Sequence, residues 1–303
     1  MSFFEYKPVP LTERLHTRVY EAIHPSQPSL SQTGKTVLVT GGSAGIGYAI
    51  AKNFGIARAD RIIITGRTRE KLDAAVSSLD REQEASQGHG TTTKFEGRLC
   101  QISDSDSINH LFDELAADGV HVDVLVLNAV LNVAGRLSDQ GWERTWEQFV
   151  VNVRSIHQLC DRLFQQAAPR NRTYYIVNVS TGAIHDFGSP KDLSSYSLTK
   201  NAGALLLQKL ADERGSPETQ IISFHPGAVF TAQVKEKGMT EMSMNWDDAF
   251  LVLSPCGVPR QKQHSCTVDF LWAAWDVDEM KAGSMGKRLR TDDKFLRIGV
   301  HGL

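Results

Sequence analysis

The feature that most constrains the fold is a glycine-rich segment, residues 40–47 (TGGSAGIG), between an apolar strand pattern and a helical pattern. Glycines let the backbone approach a pyrophosphate closely, and the amino terminus of the following helix offers free N–H groups to the anion. A strand-to-helix turn that needs glycine for its geometry alone is the alternative. The predicted cofactor-binding residues of this loop are Gly41, Ser43, Gly45, Ile46 and Gly47.

From residue 35 onward, apolar strand patterns alternate with helical patterns. The predicted strands cover residues 36–40, 61–65, 94–100, 122–128, 173–179, 220–224 and 268–272. The predicted helices cover residues 45–54, 69–79, 105–117, 142–166 and 195–213, and residues 80–93 read as a polar loop. Such alternation predicts an α/β fold: a Rossmann-like doubly wound parallel sheet, flanked by helices on both faces, in a single domain.

The two ends of the chain depart from this alternation. Residues 1–34 contain four prolines and predict an amino-terminal extension with one short helix over residues 11–23, whereas residues 35–303 form the sheet domain. Residues 232–267 are predicted to contain a substrate lid, because loops after strand ends carry specificity. Ordinary packing against the sheet is the alternative. The large apolar residues of this region are Met239, Met242, Met244, Trp246 and Phe250.

Composition excludes several classes of protein. With 33 basic and 35 acidic residues the net charge is −2, so no basic field predicts nucleic-acid binding. The amino terminus lacks a signal-peptide layout and no apolar run is long enough to cross a bilayer, which predicts a soluble protein without membrane contact. The four cysteines are scattered and form no C-x-x-C pair, so no metal site is expected and they are interpreted as reduced thiols of a cytoplasmic protein.

A second pattern, Tyr196 with Lys200, lies at the start of a predicted helix. Residues four apart share one face of a helix. An unperturbed tyrosine has a pKa of about 10, and a neighbouring ammonium favours the ionised phenol. We therefore predict that Lys200 lowers the pKa of Tyr196, and that Tyr196 transfers the proton that accompanies a hydride. Lys200 can also hold the nicotinamide ribose, and a chance surface pair is the alternative.

Two further positions follow strand ends. Arg67 comes after the second strand, where an acidic residue favours NAD and an arginine favours the 2′-phosphate of NADP. NADP is the predicted cofactor, and a solvated basic helix start is the alternative. Ser180 and Thr181 follow the fifth strand, and either hydroxyl could bond to a substrate oxygen that develops charge. Both are catalytic candidates and we favour Ser180; ordinary turn chemistry is the alternative.

In this order the motifs resemble the short-chain dehydrogenase/reductase superfamily over residues 35–224. The amino-terminal extension and residues 272–279 look similar to reductases of filamentous fungi, several of which serve secondary metabolism. The resemblance implies that Tyr196 is the proton donor or acceptor, that Lys200 tunes it and binds ribose, and that Asn152 completes a proton relay. The cofactor contacts that it further implies are Asn128, Val229 and Thr231.

Two positions depart from the family pattern. Val130 stands where the family usually has glycine, and Gln101 stands where an aspartate commonly meets adenine. Neither departure removes a residue of the proton-transfer chemistry. Oligomers formed through the long helices are also a family expectation.

These residues together predict an NADP(H)-dependent oxidoreductase that interconverts a ketone and a secondary alcohol on a medium-sized, fairly apolar substrate. One rival is an isomerase, cyclase or dehydratase without net redox change, which a stoichiometric change in NADPH absorbance would exclude. Another rival is a non-catalytic dinucleotide sensor, whose cellular activity would survive Tyr196→Phe.

Overall fold

A computed structural model describes most of the chain. It covers residues 11–87, 93–167, 172–185, 191–214, 218–236, 238–242, 247, 269–292 and 294–299. Most of the predicted lid, including Met244, Trp246 and Phe250, lies outside the described residues.

The centre of the molecule is a seven-stranded sheet in which every paired strand is parallel to its neighbour. The strands are β1 (Thr36–Thr40), β2 (Arg61–Gly66), β3 (Lys94–Leu99), β4 (Val124–Leu127), β5 (Tyr174–Val179), β6 (Thr219–His225) and β7 (Asp269–Trp272). Their spatial order is β3-β2-β1-β4-β5-β6-β7. The order reverses between β1 and β4, and this switch point is where ligands bind in open α/β sheets.

Helices cover both faces of the sheet. They are α1 (Gly45–Ile56), α2 (Arg69–Gln87), α3 (Ser105–Ala117), α4 (Leu137–Phe149), α5 (Ser155–Phe164), α6 (Ser194–Arg214), α7 (Ala232–Glu236), α8 (Val277–Lys281) and α9 (Gly283–Thr291). Buried side chains of α1 and α2 pack in one core cluster, and those of α3 and α5 pack in the other. Helix α6 contributes Ala204 to the first cluster and Leu207 and Ala211 to the second. Continuous apolar runs such as residues 62–64 suit strands that are buried on both faces. The predicted doubly wound α/β fold is confirmed.

Helix α2 runs further than predicted, because residues 80–87 are helical rather than a polar loop. Leu72, Ala75 and Leu79 continue a buried stripe along α2. Gln83 extends this stripe with a buried amide, whose Nε2 donates to the carbonyl of Gly55 at 3.0 Å. The sequence did not predict the end of this helix because Gln83 is polar. Its buried position depends on Gly55, which is distant in the sequence.

The helix predicted over residues 11–23 is wrong. Only Glu21–Ile23 forms one short 3₁₀ turn, and the preceding residues run along the segment that follows β7. The amide of His16 donates to the carbonyl of Ala274 at 2.8 Å, and Leu15 forms an antiparallel bridge with Trp275. Backbone groups that bond to a distant segment cannot form the i to i+4 bonds of a helix.

The long helix predicted over residues 142–166 is present but interrupted. Helix α4 continues through a π-helical turn, Val150–Arg154, into α5. Near its start, Gly141 has a φ of 78°, which only glycine adopts freely. A π turn leaves one backbone carbonyl outside the regular ladder and is frequent at functional sites. The turn contains Asn152, one of the predicted site residues.

Candidate active site

The glycine-rich loop between β1 and α1 has the geometry of a phosphate cradle. Gly41 and Gly45 have φ values of 65° and 56°. A Cβ on Gly47 would lie 2.4 Å from the carbonyl oxygen of Gly41, so only glycine fits there. Among the described residues no side chain caps the amino terminus of α1, which leaves its N–H groups directed at this loop. These features fit a dinucleotide pyrophosphate.

Asn128 and Thr40 hold the cradle in shape. The Nδ2 of Asn128 donates to the carbonyls of Thr40 at 2.9 Å and of Gly41 at 3.1 Å. The hydroxyl of Thr40 donates to the carbonyl of Val126 at 3.0 Å and accepts from the amide of Asn128 at 2.9 Å. Asn128 therefore braces the glycine-rich loop. Thr40 shares this role and was not singled out from the sequence.

The end of β2 presents two arginines beside the cradle. Arg67 is exposed, and Arg69 donates from Nη1 to the carbonyl of Gly97 at 3.1 Å. The hydroxyl of Ser43 lies 3.5 Å from the position of a Cβ on Gly66, so the loop meets this strand end. Among the described residues no carboxylate forms an ion pair with Arg67. This guanidinium is therefore available to a phosphate.

The loop after β6 forms the opposite wall. A Cβ on Gly45 would lie 3.3 Å from the Cγ2 of Thr231, which places Thr231 against the cradle. Val229 is buried and forms a parallel bridge with Asp247. The carboxylate of Asp247 accepts from the amide of Ala228 at 2.7 Å. Thr231 thus lies against the glycine-rich loop, and Val229 lies two residues before it in the same loop.

Tyr196 lies in the first turn of α6 and faces the end of β5. Its phenol shares a hydrogen bond with the hydroxyl of Thr181. Burial raises the pKa of Tyr196 to about 12, and the bond to Thr181 opposes that rise. The pKa of Tyr196 therefore moves in the direction opposite to our prediction, because desolvation of the phenolate dominates in this site.

Lys200 follows Tyr196 by one turn of α6, and its side chain is buried. Its Nζ donates to the carbonyl of Val179, the last residue of β5, at 2.6 Å. Burial lowers the pKa of Lys200 to about 8, since the ammonium loses its hydration. The pKa of Lys200 thus lies closer to neutral pH than that of an exposed lysine.

Ser180 and Thr181 differ in their surroundings. Within the part of the chain that the structure describes, the buried Oγ of Ser180 has no hydrogen-bond partner. Thr181 instead joins Tyr196 and caps the short turn after β5 by accepting from the amide of Ala183 at 3.3 Å. The contact with the phenol therefore distinguishes Thr181 from Ser180 as the hydroxyl beside Tyr196.

Asn152 is fully engaged by neighbouring groups. Its Oδ1 accepts from the amide of Leu131 at 2.9 Å, and its Nδ2 donates to the carbonyl of Leu131 at 2.8 Å and to the hydroxyl of Thr199 at 3.0 Å. A Cβ on Gly203 would lie 2.7 Å from the carbonyl oxygen of Asn152, so the π turn sits directly against α6. The side chain of Asn152 therefore fastens the loop after β4 to the helix that carries Lys200.

Sequence reasoning missed the polar residues that surround Tyr196 and Lys200. Gln148, Ser195 and Thr199 are fully buried. Their only sequence signal is position: Ser195 and Thr199 directly precede Tyr196 and Lys200, and Gln148 precedes Asn152 by one helical turn.

The described part of the predicted lid is small. It consists of α7, residues 238–242 and Asp247, and Met242 there is 96% exposed. No helix within the described residues combines the length and apolar character that a bilayer crossing requires. The same residues contain no cluster of three or more His, Cys, Asp or Glu side chains that could hold a metal ion.

Comparison with known proteins agrees with this geometry. A family model described as short chain dehydrogenase matches residues 35–242. The chain is 32% identical over 302 residues to a short chain dehydrogenase/reductase of Claviceps purpurea, covering 99% of this chain and 97% of that one. It is 31% identical over 294 residues to the short chain dehydrogenase/reductase AacuD of Aspergillus aculeatus, covering 95% and 96%.

The solved structures support the same assignment at the level of the fold. A short chain dehydrogenase of Shigella flexneri 2a, complexed with NADP, superposes with a TM-score of 0.66 at 20% identity, covering 80% of this chain and 97% of that chain. The doubly wound sheet, the glycine cradle and the Tyr196–Lys200 pair thus occur in a chain whose relatives share nearly its whole length. This protein belongs to the short-chain dehydrogenase/reductase family of oxidoreductases.

Proposed function

We propose that this protein is an NADP(H)-dependent oxidoreductase that interconverts a ketone and a secondary alcohol. The observation that carries the proposal is the convergence of Thr181, Tyr196 and Lys200 at the carboxyl end of β5. Only β4 separates that strand from β1, which leads into the phosphate cradle. A bound dinucleotide would supply or accept the hydride.

The titration behaviour of the site suits proton transfer in the reductive direction. With its pKa raised to about 12, Tyr196 keeps its proton at neutral pH and can donate it to a carbonyl oxygen. With its pKa lowered to about 8, Lys200 can return a proton at the same pH. Tyr196 is the proposed general acid and Lys200 the proposed proton source.

We assign the substrate-binding hydroxyl to Thr181, because it already bonds to the phenol of Tyr196. A hydroxyl in that place can hydrogen-bond the substrate oxygen while charge develops on it. The buried hydroxyl of Ser180 has no hydrogen-bond partner among the described residues, so no observed bond supports the same role for it. Asn152 would support the relay through its hold on Thr199 and on the loop after β4.

NADP is the proposed cofactor, with Arg67 as the ligand of the 2′-phosphate. The exposed guanidinium at the end of β2 supports this choice, since arginine binds phosphate in a fork geometry. Gly41, Ser43, Gly45, Ile46 and Gly47 would hold the pyrophosphate, and Asn128 would keep their loop in shape. Val229 and Thr231 would contact the nicotinamide end, because the β6 loop meets the cradle at Gly45.

A medium-sized apolar substrate fits the loop after β4. Val130, Leu131 and Val133 are partly exposed there, and Asn152 ties this loop to α6. Residues 232–267 are the proposed lid, and residues 1–34 the proposed extension beside the sheet domain. Relatives in Claviceps and Aspergillus support a place in fungal secondary metabolism.

We also propose a cytoplasmic homo-oligomer. The buried free thiols of Cys100 and Cys160 fit a reducing compartment. Five large apolar side chains on α4 and α6 are exposed, a feature typical of protein interfaces. They are Leu137, Trp142, Trp146, Leu198 and Leu205. Light scattering of the wild type and of a variant with Trp142 and Trp146 replaced by serine would test this interface.

The function is tested by cofactor titration followed by turnover. Tighter binding of NADP than of NAD is expected, and tighter binding of NAD would contradict the role of Arg67. A panel of ketones should then cause loss of NADPH absorbance in equal amount to the alcohol formed. Product formation without any change in NADPH would instead identify a redox-neutral enzyme on the same scaffold.

A further inference from the structure

Helix α4 and its π turn carry two buried amide side chains on one face, Gln148 and Asn152. Each amide reaches the same two segments, the loop after β4 and the first turns of α6. Gln148 accepts at Oε1 from the amide of Val133 at 3.4 Å and donates from Nε2 to the hydroxyl of Ser195 at 2.8 Å. The bonds of Asn152 to Leu131 and Thr199 repeat this pattern one turn later.

We call this arrangement a clamp. Its upper rung is the pair of bonds from Gln148 to Val133 and Ser195, and its lower rung is the pair of bonds from Asn152 to Leu131 and Thr199. Their loop partners are two residues apart and their α6 partners are four apart, so both rungs run in parallel between the same elements. The upper rung ends at Ser195, directly before Tyr196, and the lower rung ends at Thr199, directly before Lys200. The hydroxyl of Thr199 also donates to the carbonyl of Tyr196 at 3.0 Å.

The upper rung is tightly enclosed. Gln148 and Ser195 are each 0% exposed, so neither can exchange its partner for water. Gln148 also donates to the carbonyl of Arg144 at 3.4 Å, and Gln140 lies 3.4 Å from the hydroxyl of Ser195. A buried amide of α4 that bonds to two other segments fixes their positions relative to this helix, because breaking one bond leaves an unsatisfied polar group.

We propose that Gln148 is a positioning residue that sets the placement of Tyr196 relative to the loop after β4. Gln148 acts through Ser195 and Val133 and does not itself touch the reacting atoms. The inference rests on the proposed function, since Tyr196 is taken as the proton donor. It adds a requirement: the first turn of α6 and the loop around Leu131 must be held together for the phenol to meet the substrate oxygen.

The test compares Gln148→Leu and Gln148→Glu with wild type. Gln148→Leu removes both bonds, and kcat should fall about tenfold to a hundredfold, because small misplacements of reacting groups have effects of that size. The KM for NADPH should stay within about twofold, since the cradle is untouched. A fall in kcat that is matched by Gln83→Leu, a buried glutamine of α2 far from Tyr196, would overturn the proposal.

Gln148→Glu supplies a second, pH-dependent readout. The introduced carboxyl can reproduce both bonds while protonated, with its O–H donating to Ser195, and it loses the donor when it ionises. We expect kcat near the wild-type value at acid pH and a fall toward the Gln148→Leu value as pH rises. A kcat that follows the wild-type pH profile throughout would overturn the proposal.

Hydrogen exchange separates failure of this inference from failure of the proposed function. Gln148→Leu should speed amide exchange in residues 131–135 and in residues 194–200 together, while exchange in α2 stays unchanged. Unchanged exchange in either segment would overturn the clamp, whatever the activity. If the wild type turns over no carbonyl compound, the proposed function fails, and the exchange data still decide whether Gln148 joins the two segments.

Discussion

The phosphate cradle and the proposed proton-transfer site, which consists of Thr181, Tyr196 and Lys200, lie on the same edge of the sheet, but different forces shape them. In the cradle, backbone sterics decide the residue, since a Cβ on Gly47 would meet the carbonyl of Gly41 at 2.4 Å. In the proton-transfer site, burial decides the chemistry by shifting the pKa of Tyr196 upward and that of Lys200 downward. Steric requirements of this kind depend on residues that are close together in the sequence, whereas burial depends on the whole fold.

Because different forces shape the two regions, we expect mutations to impair catalysis and cofactor binding separately. The largest expected effect on activity is that of replacing Tyr196. Tyr196→Phe removes the proposed proton donor, and kcat should fall about 10²–10⁴-fold, the range that general acids contribute. The dissociation constant of NADP should remain close to that of the wild type. Steady-state kinetics and fluorescence titration measure the two quantities. Retained turnover would show that another group donates the proton.

The buried ammonium of Lys200 should make the free energy of unfolding depend on pH. Its folded-state pKa of about 8 lies below the ordinary 10.5, so between these values the unfolded chain binds more protons than the native one. The stability of the wild type relative to Lys200→Met should therefore rise by about 3 kcal/mol as pH increases from 8 to 10.5. Below pH 8 the full penalty of burying the ammonium applies.

Urea unfolding of both proteins at several pH values measures this difference. If the gap in unfolding free energy stays constant with pH, Lys200 does not titrate in the native protein in that range. Its proposed role as a proton source near neutral pH would then fail as well.

The cradle should show the complementary pattern. Gly47→Ala forces a Cβ against the Gly41 carbonyl, and the free energy of unfolding should fall by about 1–3 kcal/mol, as for other overpacked sites. NADP binding should weaken, while the pKa of Lys200 stays as in the wild type. Gly299→Ala is the matched control, because a Cβ there would meet nothing within 4 Å. Equal stability of the two variants would contradict the steric reading of the cradle.

The smallest expected effect is on the preference for NADP over NAD, which we assign to Arg67. Arg67→Ser should weaken NADP binding roughly tenfold, in keeping with loss of a charge-assisted hydrogen bond, and should leave NAD binding nearly unchanged. Arg69→Ser is a useful comparison, because that side chain donates to the Gly97 carbonyl. Isothermal titration with both cofactors measures the ratio. Equal weakening for NAD and NADP would show that Arg67 does not read the 2′-phosphate.

The sequence by itself determined the doubly wound sheet, the glycine cradle and the Tyr196–Lys200 spacing. Each depends on residues near one another along the chain: buried strands read as apolar runs, the cradle needs glycines at fixed intervals, and a helix brings every fourth residue to one face. The same local reasoning placed Arg67 at the end of β2.

Only the tertiary structure decided how the groups near Tyr196 behave. It joined Thr181 to the phenol, directed Lys200 to the Val179 carbonyl and set Gln148 against Ser195. It also replaced the expected helix near Leu15 with a segment that pairs with Trp275. Burial and long-range hydrogen bonds depend on residues far apart in the chain, and local spacing cannot specify which polar group meets which partner.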